Sequence, residues 1–113
     1  MNEEKIRVIK LLENLEYSFT HYPFGDLNKF TDFNTLNETL TSAIVDLKTH
    51  DYEGITFGIR VNKVLGSINY ALAFEGLRLS TPQKKAWHAI YDTGQKGHRR
   101  DQLVMQLLGI RMG

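Results

Sequence analysis

The fold class is decided by residues 55–74, ITFGIRVNKVLGSINYALAF. Apolar residues recur in this stretch at intervals of three or four, which is typical of an α-helix with one buried face. This apolar row consists of Phe57, Val61, Val64, Ile68, Ala71 and Leu72. Gly76 follows at the position where a left-handed residue often ends a helix. The sequence therefore predicts a long helix over residues 55–74.

Two glycines lie inside this predicted helix. Gly58 and Gly66 each lower the intrinsic helix propensity by roughly 1 kcal/mol relative to alanine, so tertiary packing must hold the helix together. Small residues allow helices to approach each other closely, and we expect such an approach at Gly66 and Ser67.

The N-terminal half shows the same periodicity twice. Helices are predicted over residues 3–19 and 35–49, the second beginning with a capping box formed by Thr35 and Glu38. The loop between them is rich in aromatic residues, and we expect it to fold back onto the core with His21, Tyr22, Phe24, Phe30 and Phe33.

The C-terminal half begins its next helix just as clearly. Ser80 and Gln83 form a second capping box, Pro82 suits a first helical turn, and the helix is predicted over residues 81–93. A short last helix is predicted over residues 101–108. Four amphipathic helices with short connections predict an all-α, antiparallel four-helix bundle with a short fifth C-terminal helix.

Length and composition agree with one soluble domain over residues 1–113. The chain is 42% hydrophobic and 24% charged, which supports a buried core and argues against disorder. It has no cysteine, which excludes disulfides and thiolate catalysis. No apolar run approaches the roughly 18 residues of a membrane span, and the opening residues do not resemble a signal peptide. We therefore expect a cytoplasmic protein.

The charge is distributed unevenly between the two halves. Residues 1–53 carry five basic and ten acidic residues, whereas residues 54–113 carry nine basic and three acidic residues. This asymmetry suggests an anionic partner, either a nucleic acid or a membrane surface. Attraction between the two halves within one domain explains it equally well.

The sequence offers no catalytic or metal-binding motif. The four histidines lack the i, i+4 spacing of a helical metal site, and no glycine-rich phosphate loop follows a strand. We predict a protein that is not an enzyme and that needs no cofactor or metal.

The most distinctive candidate surface combines aromatic and basic residues near the C-terminus. Aromatic side chains and arginine are enriched at binding hot spots. The candidate partner-binding residues are Trp87, Tyr91, Lys96, His98, Arg99 and Arg100. Two simpler interpretations stay open, because the two aromatic residues can belong to the core and the basic cluster can be a solvated turn.

Five short motifs, taken in order, point to a known family. They are IVDLKTH at 44–50, VNK at 61–63, LRLSTPQ at 77–83, WHAI at 87–90 and QKG at 95–97. Their order and spacing resemble the immunity proteins for pediocin-like bacteriocins. The resemblance covers roughly residues 36–98, and the basic segment after Gly97 departs from the family pattern.

The resemblance implies a small cytosolic helical bundle that protects a cell from its own bacteriocin. Members of that family bind the mannose phosphotransferase permease, the membrane receptor captured by the bacteriocin, from the cytosolic side. Their specificity is attributed to the C-terminal half, which is the basic half of this chain. Basic residues also favour peripheral contact with the anionic inner leaflet, at about 1 kcal/mol per Lys or Arg.

The alternative is a small helix-turn-helix DNA-binding regulator. The entry into such a motif is similar to three successive segments of this chain, which are residues 79–83, a turn at 94–97 and an apolar segment at 103–109. The basic turn would then contact phosphates. The predicted helix over 101–108 offers mostly apolar side chains, so it is poorly suited to reading base edges. Nucleic acid is therefore not the partner we expect.

Overall fold

The computed structural model describes residues 2–95, which form four α-helices and no strand. The helices are α1 (Glu3–His21), α2 (Phe33–Thr49), α3 (Gly54–Phe74) and α4 (Thr81–Gln95). Helix α1 packs against α2 and α4, and α2 packs against α3. The all-α, four-helix prediction is confirmed, whereas the predicted fifth helix over 101–108 lies outside the described residues.

The apolar rows predicted for the four helices meet in one core. Their inward-facing side chains are shielded from solvent almost completely, as hydrophobic burial requires. The most deeply buried apolar residues are Leu12, Leu15, Leu40, Leu47, Ile68 and Ile90. None of the helices within residues 2–95 combines the length and apolar character needed to cross a lipid bilayer.

Helix α2 begins two residues earlier than predicted. The side chain of Asp32 accepts a hydrogen bond from the backbone N–H of Thr35 at 3.4 Å, so Asp32 is the N-cap. The prediction that Thr35 and Glu38 form a capping box is therefore wrong. A carboxylate suits the positive end of the helix dipole, which favours Asp32 at this position.

The capping box predicted for α4 is half formed. The backbone N–H of Ser80 donates to Oε1 of Gln83 at 2.9 Å, but the Ser80 hydroxyl is buried without a partner among residues 2–95. The fully buried amide Nε2 of Gln83 donates instead to the carbonyls of Ser18 and Tyr22, each at 3.1 Å. Gln83 therefore ties the start of α4 to the end of α1.

The aromatic loop between α1 and α2 folds onto the core as expected. The Phe24 ring lies 5.2 Å from that of Phe19 and 4.5 Å from that of Phe33, and Phe33 lies 5.2 Å from Phe30. The prediction is wrong for His21 and Tyr22. His21 is the exposed last residue of α1, and the side chain of Tyr22 is 45% exposed.

Hydrogen bonds to two backbone carbonyls join this loop to the loop between α3 and α4. The carbonyl of Arg78 accepts from the N–H of Gly25 at 2.9 Å and from Nδ2 of Asn28 at 2.7 Å. The N–H of Lys29 donates to the carbonyl of Gly76 at 3.3 Å. Gly76 has a φ of +78°, and a Cβ there would lie 2.7 Å from Cβ of Lys29, so a side chain at this position would be strained and would clash.

The close helix approach expected at Gly66 is not found. A Cβ built on Gly66 would have no heavy atom of a neighbouring helix within 4 Å in the described part of the chain. The position faces open space instead.

Candidate binding cleft beside helix α4

An open cleft of about 550 Å³ lies between α4, the end of α3 and the two joined loops. It is the concave surface closest to the aromatic residues predicted to bind a partner. Its lining residues are Gly25, Asp26, Leu72, Leu77, Arg78, Leu79, Lys84, Trp87 and His88.

The floor of the cleft is apolar and firmly supported. Leu77, Leu79 and Trp87 line it and are each less than a tenth exposed. The Trp87 ring stacks on that of Tyr91 one helical turn later, with centroids 5.4 Å apart and planes 26° apart. Because these side chains also belong to the hydrophobic core, the packing of the core fixes the shape of the floor.

The rim of the cleft carries more positive than negative groups. Arg78 and Lys84 are two exposed cations that line it, Asp26 is the one carboxylate among the lining residues, and His88 adds an exposed imidazole. Lys84 and His88 are one turn apart on α4, so their side chains project on the same side of the helix. The two hydrogen bonds to the Arg78 carbonyl hold the backbone of that residue at the rim.

The structure brings together only part of the predicted site. Trp87 and Tyr91 are in contact, and Trp87 is a core residue that also forms cleft floor. The remaining predicted binding residues, Lys96, His98, Arg99 and Arg100, lie outside the described residues.

Sequence reasoning missed Arg78, Lys84 and His88. A signal was available for the last two, because Lys84 and His88 are four residues apart in a predicted helix and could have been assigned to one face. Nothing local marks Arg78, whose place depends on the pairing of two loops distant in sequence.

A separate polar cluster joins the end of α2 to the start of α3. The Tyr52 hydroxyl donates to the Asp46 carboxylate at 2.7 Å, and this hydrogen bond raises the pKa of Tyr52 above its usual value. The Arg60 guanidinium lies 4.8 Å from the centre of the Tyr52 ring, close enough for a cation–π contact. These contacts fix the α2–α3 connection.

The chemistry of the cleft favours binding. An apolar floor with cations at its edge suits an apolar side chain flanked by carboxylates. Within residues 2–95, no three or more His, Asp or Glu side chains are grouped so that they could hold a metal ion. Comparison of the chain with protein-family models, curated proteins and solved structures found no match.

Proposed function

We propose that this protein is an immunity protein of the pediocin-like type, a four-helix bundle that protects its cell by binding the bacteriocin-engaged mannose phosphotransferase permease from the cytosolic side. The observation that supports this proposal best is the α4 cleft. It combines an apolar floor with three basic rim residues, and its α3 and α4 residues fall within the part of the chain that resembles that family.

The proposed contact has an apolar and an electrostatic part. An apolar side chain of the receptor enters the cleft over Trp87, where desolvation supplies most of the affinity. Acidic groups around it meet Arg78, Lys84 and His88, which accelerates association and selects the partner more than it raises affinity. The basic residues at 96–100 follow α4 directly in the sequence, and their charges favour contact with the anionic inner leaflet.

Expression in a bacteriocin-sensitive strain tests the proposal. We expect the wild-type protein to protect against one pediocin-like bacteriocin without inactivating the peptide in solution. Killing at the unprotected rate by every such bacteriocin tested would refute the proposal. A sequence-specific shift of promoter DNA by the purified protein would favour the DNA-binding alternative.

A pair of charge variants tests the cleft itself. Arg78→Gln with Lys84→Gln should weaken protection and leave the melting temperature nearly unchanged, because exposed charges contribute little to folding. The matched control is Arg7→Gln with Lys10→Gln, which removes two exposed cations of α1 and should leave protection intact. Equal loss of protection in both double variants would show that net charge, rather than the cleft, matters.

The basic segment needs its own test. Replacing Lys96, Arg99 and Arg100 with Gln should leave the melting temperature nearly unchanged, weaken protection and reduce its dependence on salt. Full protection by this triple variant would show that the segment is a solvated connection. Unfolding of the variant would show that it has a structural role.

A further inference from the structure

The turn at residues 25–28, beside the α4 cleft, holds a leucine in an unusual backbone conformation. Leu27 has a φ of +56°, and among residues 2–95 it is the one residue other than glycine with a positive φ. A left-handed backbone brings the Cβ of an L-residue close to the following carbonyl oxygen, so large side chains avoid it. In turns whose third residue has a positive φ, that residue is usually glycine or asparagine. Leu27 therefore carries strain that either residue would relieve.

The side chain of Leu27 does not pack into the core. It is 84% exposed, more than any other large apolar side chain in the described part of the chain. Two aromatic residues of the same loop, Phe24 and Phe30, pack against the core instead. A single exposed leucine is common on protein surfaces and needs no explanation by itself. Here, however, the side chain gains no burial free energy that would offset the strained backbone.

The hydrogen bonds of the turn fix the position of Leu27. The backbone N–H of Gly25 and Nδ2 of Asn28 both donate to the carbonyl of Arg78, at 2.9 and 2.7 Å. Oδ1 of Asn28 also accepts from the N–H of Phe30 at 3.2 Å. The tip of the turn lies between these anchors, so a backbone tied down on both sides presents the leucine to solvent. Because this backbone is already ordered, little conformational entropy is lost when a partner covers the side chain.

The tip of the turn borders the α4 cleft. Gly25, Asp26 and Arg78 line the cleft, whereas Leu27 follows Asp26 in the chain and is turned to solvent. A partner seated in the cleft and extending over this edge meets the leucine. Strained backbone is typically kept where it serves a ligand clamp or another functional site. The strain, the exposure and the position together indicate a partner contact.

We infer that Leu27 is a contact residue for the partner that occupies the α4 cleft, and that its side chain enters an apolar depression on that partner. This inference rests on the proposed function, which makes the partner a membrane receptor protein. The interface then has apolar contacts in both directions, because the cleft receives a side chain over Trp87 and the turn supplies one to the receptor. A residue kept for binding at the expense of stability follows the trade-off that is common at functional sites.

The substitution Leu27→Asn separates binding from stability. Asparagine tolerates a positive φ and removes the apolar side chain. We expect the melting temperature of the purified protein to rise by roughly 2–5 °C. In a sensitive strain expressing equal amounts of protein, the bacteriocin concentration that halves growth should fall about fivefold or more, because the apolar contact is lost. A purely structural residue would not lower protection while it raises stability.

Two control variants isolate the apolar side chain and its position. Leu27→Met keeps an unbranched apolar side chain of similar volume on the same backbone, so protection and melting temperature should stay close to wild type. Ile6→Gln removes another exposed apolar residue, 53% exposed near the start of α1, whereas the turn follows the end of α1. This variant should leave protection unchanged.

The outcomes distinguish this inference from the proposed function. If the wild-type protein gives no protection, the proposed function fails and the inference fails with it. If the wild type protects and Leu27→Asn protects equally well, the inference alone is overturned. A lower melting temperature of Leu27→Asn would also overturn it, since the leucine would then support the fold. Binding of the wild type to phosphatidylglycerol vesicles that is lost in Leu27→Asn would identify a lipid surface, and not the receptor, as what covers the leucine.

Discussion

Replacing the buried Gln83 should damage the fold more than any other single polar substitution on α4. Its side chain is fully buried and makes three hydrogen bonds, to the backbone of Ser18, Tyr22 and Ser80. Leucine has a similar volume but makes none of them. At about 1 kcal/mol for each hydrogen bond, Gln83→Leu should lower the free energy of unfolding by about 3 kcal/mol. A domain of this size has a total stability of roughly 5–15 kcal/mol.

Urea denaturation followed by tryptophan fluorescence measures this loss. Trp87 is the single tryptophan of the chain and is 6% exposed, so its emission reports exposure of the core beside Gln83. The control is Lys85→Leu, an exposed substitution on the same helix that should change stability by less than about 0.5 kcal/mol. A loss of less than about 0.5 kcal/mol in Gln83→Leu would refute the view that this side chain joins α4 to α1.

Gln83→Glu adds a pH dependence to the same prediction. A carboxylate at this position would face the carbonyl oxygens of Ser18 and Tyr22, so the folded state should raise the pKa of the new carboxyl group. A raised pKa means that stability is retained at low pH and lost as the pH rises through the folded-state value. We therefore expect Gln83→Glu to be less stable relative to wild type at pH 7 than at pH 4. Equal losses at both values would contradict the assigned hydrogen bonds.

Three further substitutions test the core, a loop and the polar cluster. Ile68→Ala removes a fully buried side chain and should cost about 2–5 kcal/mol in urea denaturation. Gly76→Ala forces a side chain onto backbone with a φ of +78° and against Lys29, and should cost about 1–3 kcal/mol by the same assay. The hydrogen bond to Asp46 raises the pKa of the Tyr52 hydroxyl above the ordinary tyrosine pKa of 10.0. This contact therefore stabilises the fold at pH values below 10.0, and the stabilisation is lost as the pH rises through the higher pKa of the folded state. In an ultraviolet titration, Tyr52→Phe should remove the ionisation of one tyrosine whose midpoint lies above pH 10.0.

The sequence predicts the helices well because their signal is local. Apolar residues three and four positions apart report a buried helix face without any knowledge of the partner helix, as the rows around Leu12, Leu40 and Ile68 show. The residue at which a helix begins depends on one or two capping hydrogen bonds, and neighbouring residues often suit that role equally well. Asp32 and Thr35 both suit an N-cap by residue type, and only the path of the preceding loop selects Asp32.

The cleft could not be predicted in the same way because distant segments form it. Asp26 and Arg78 both line its rim because Gly25 and Asn28 donate hydrogen bonds to the Arg78 carbonyl and so join two loops about 50 residues apart in sequence. Apart from the bond donated by the Asn28 side chain, the hydrogen bonds between these loops join backbone groups, which every residue possesses, so residue type carries almost no signal for them. Trp87 could be predicted as a binding residue because its residue type is informative, whereas the place of Arg78 at the rim leaves no signal in the sequence.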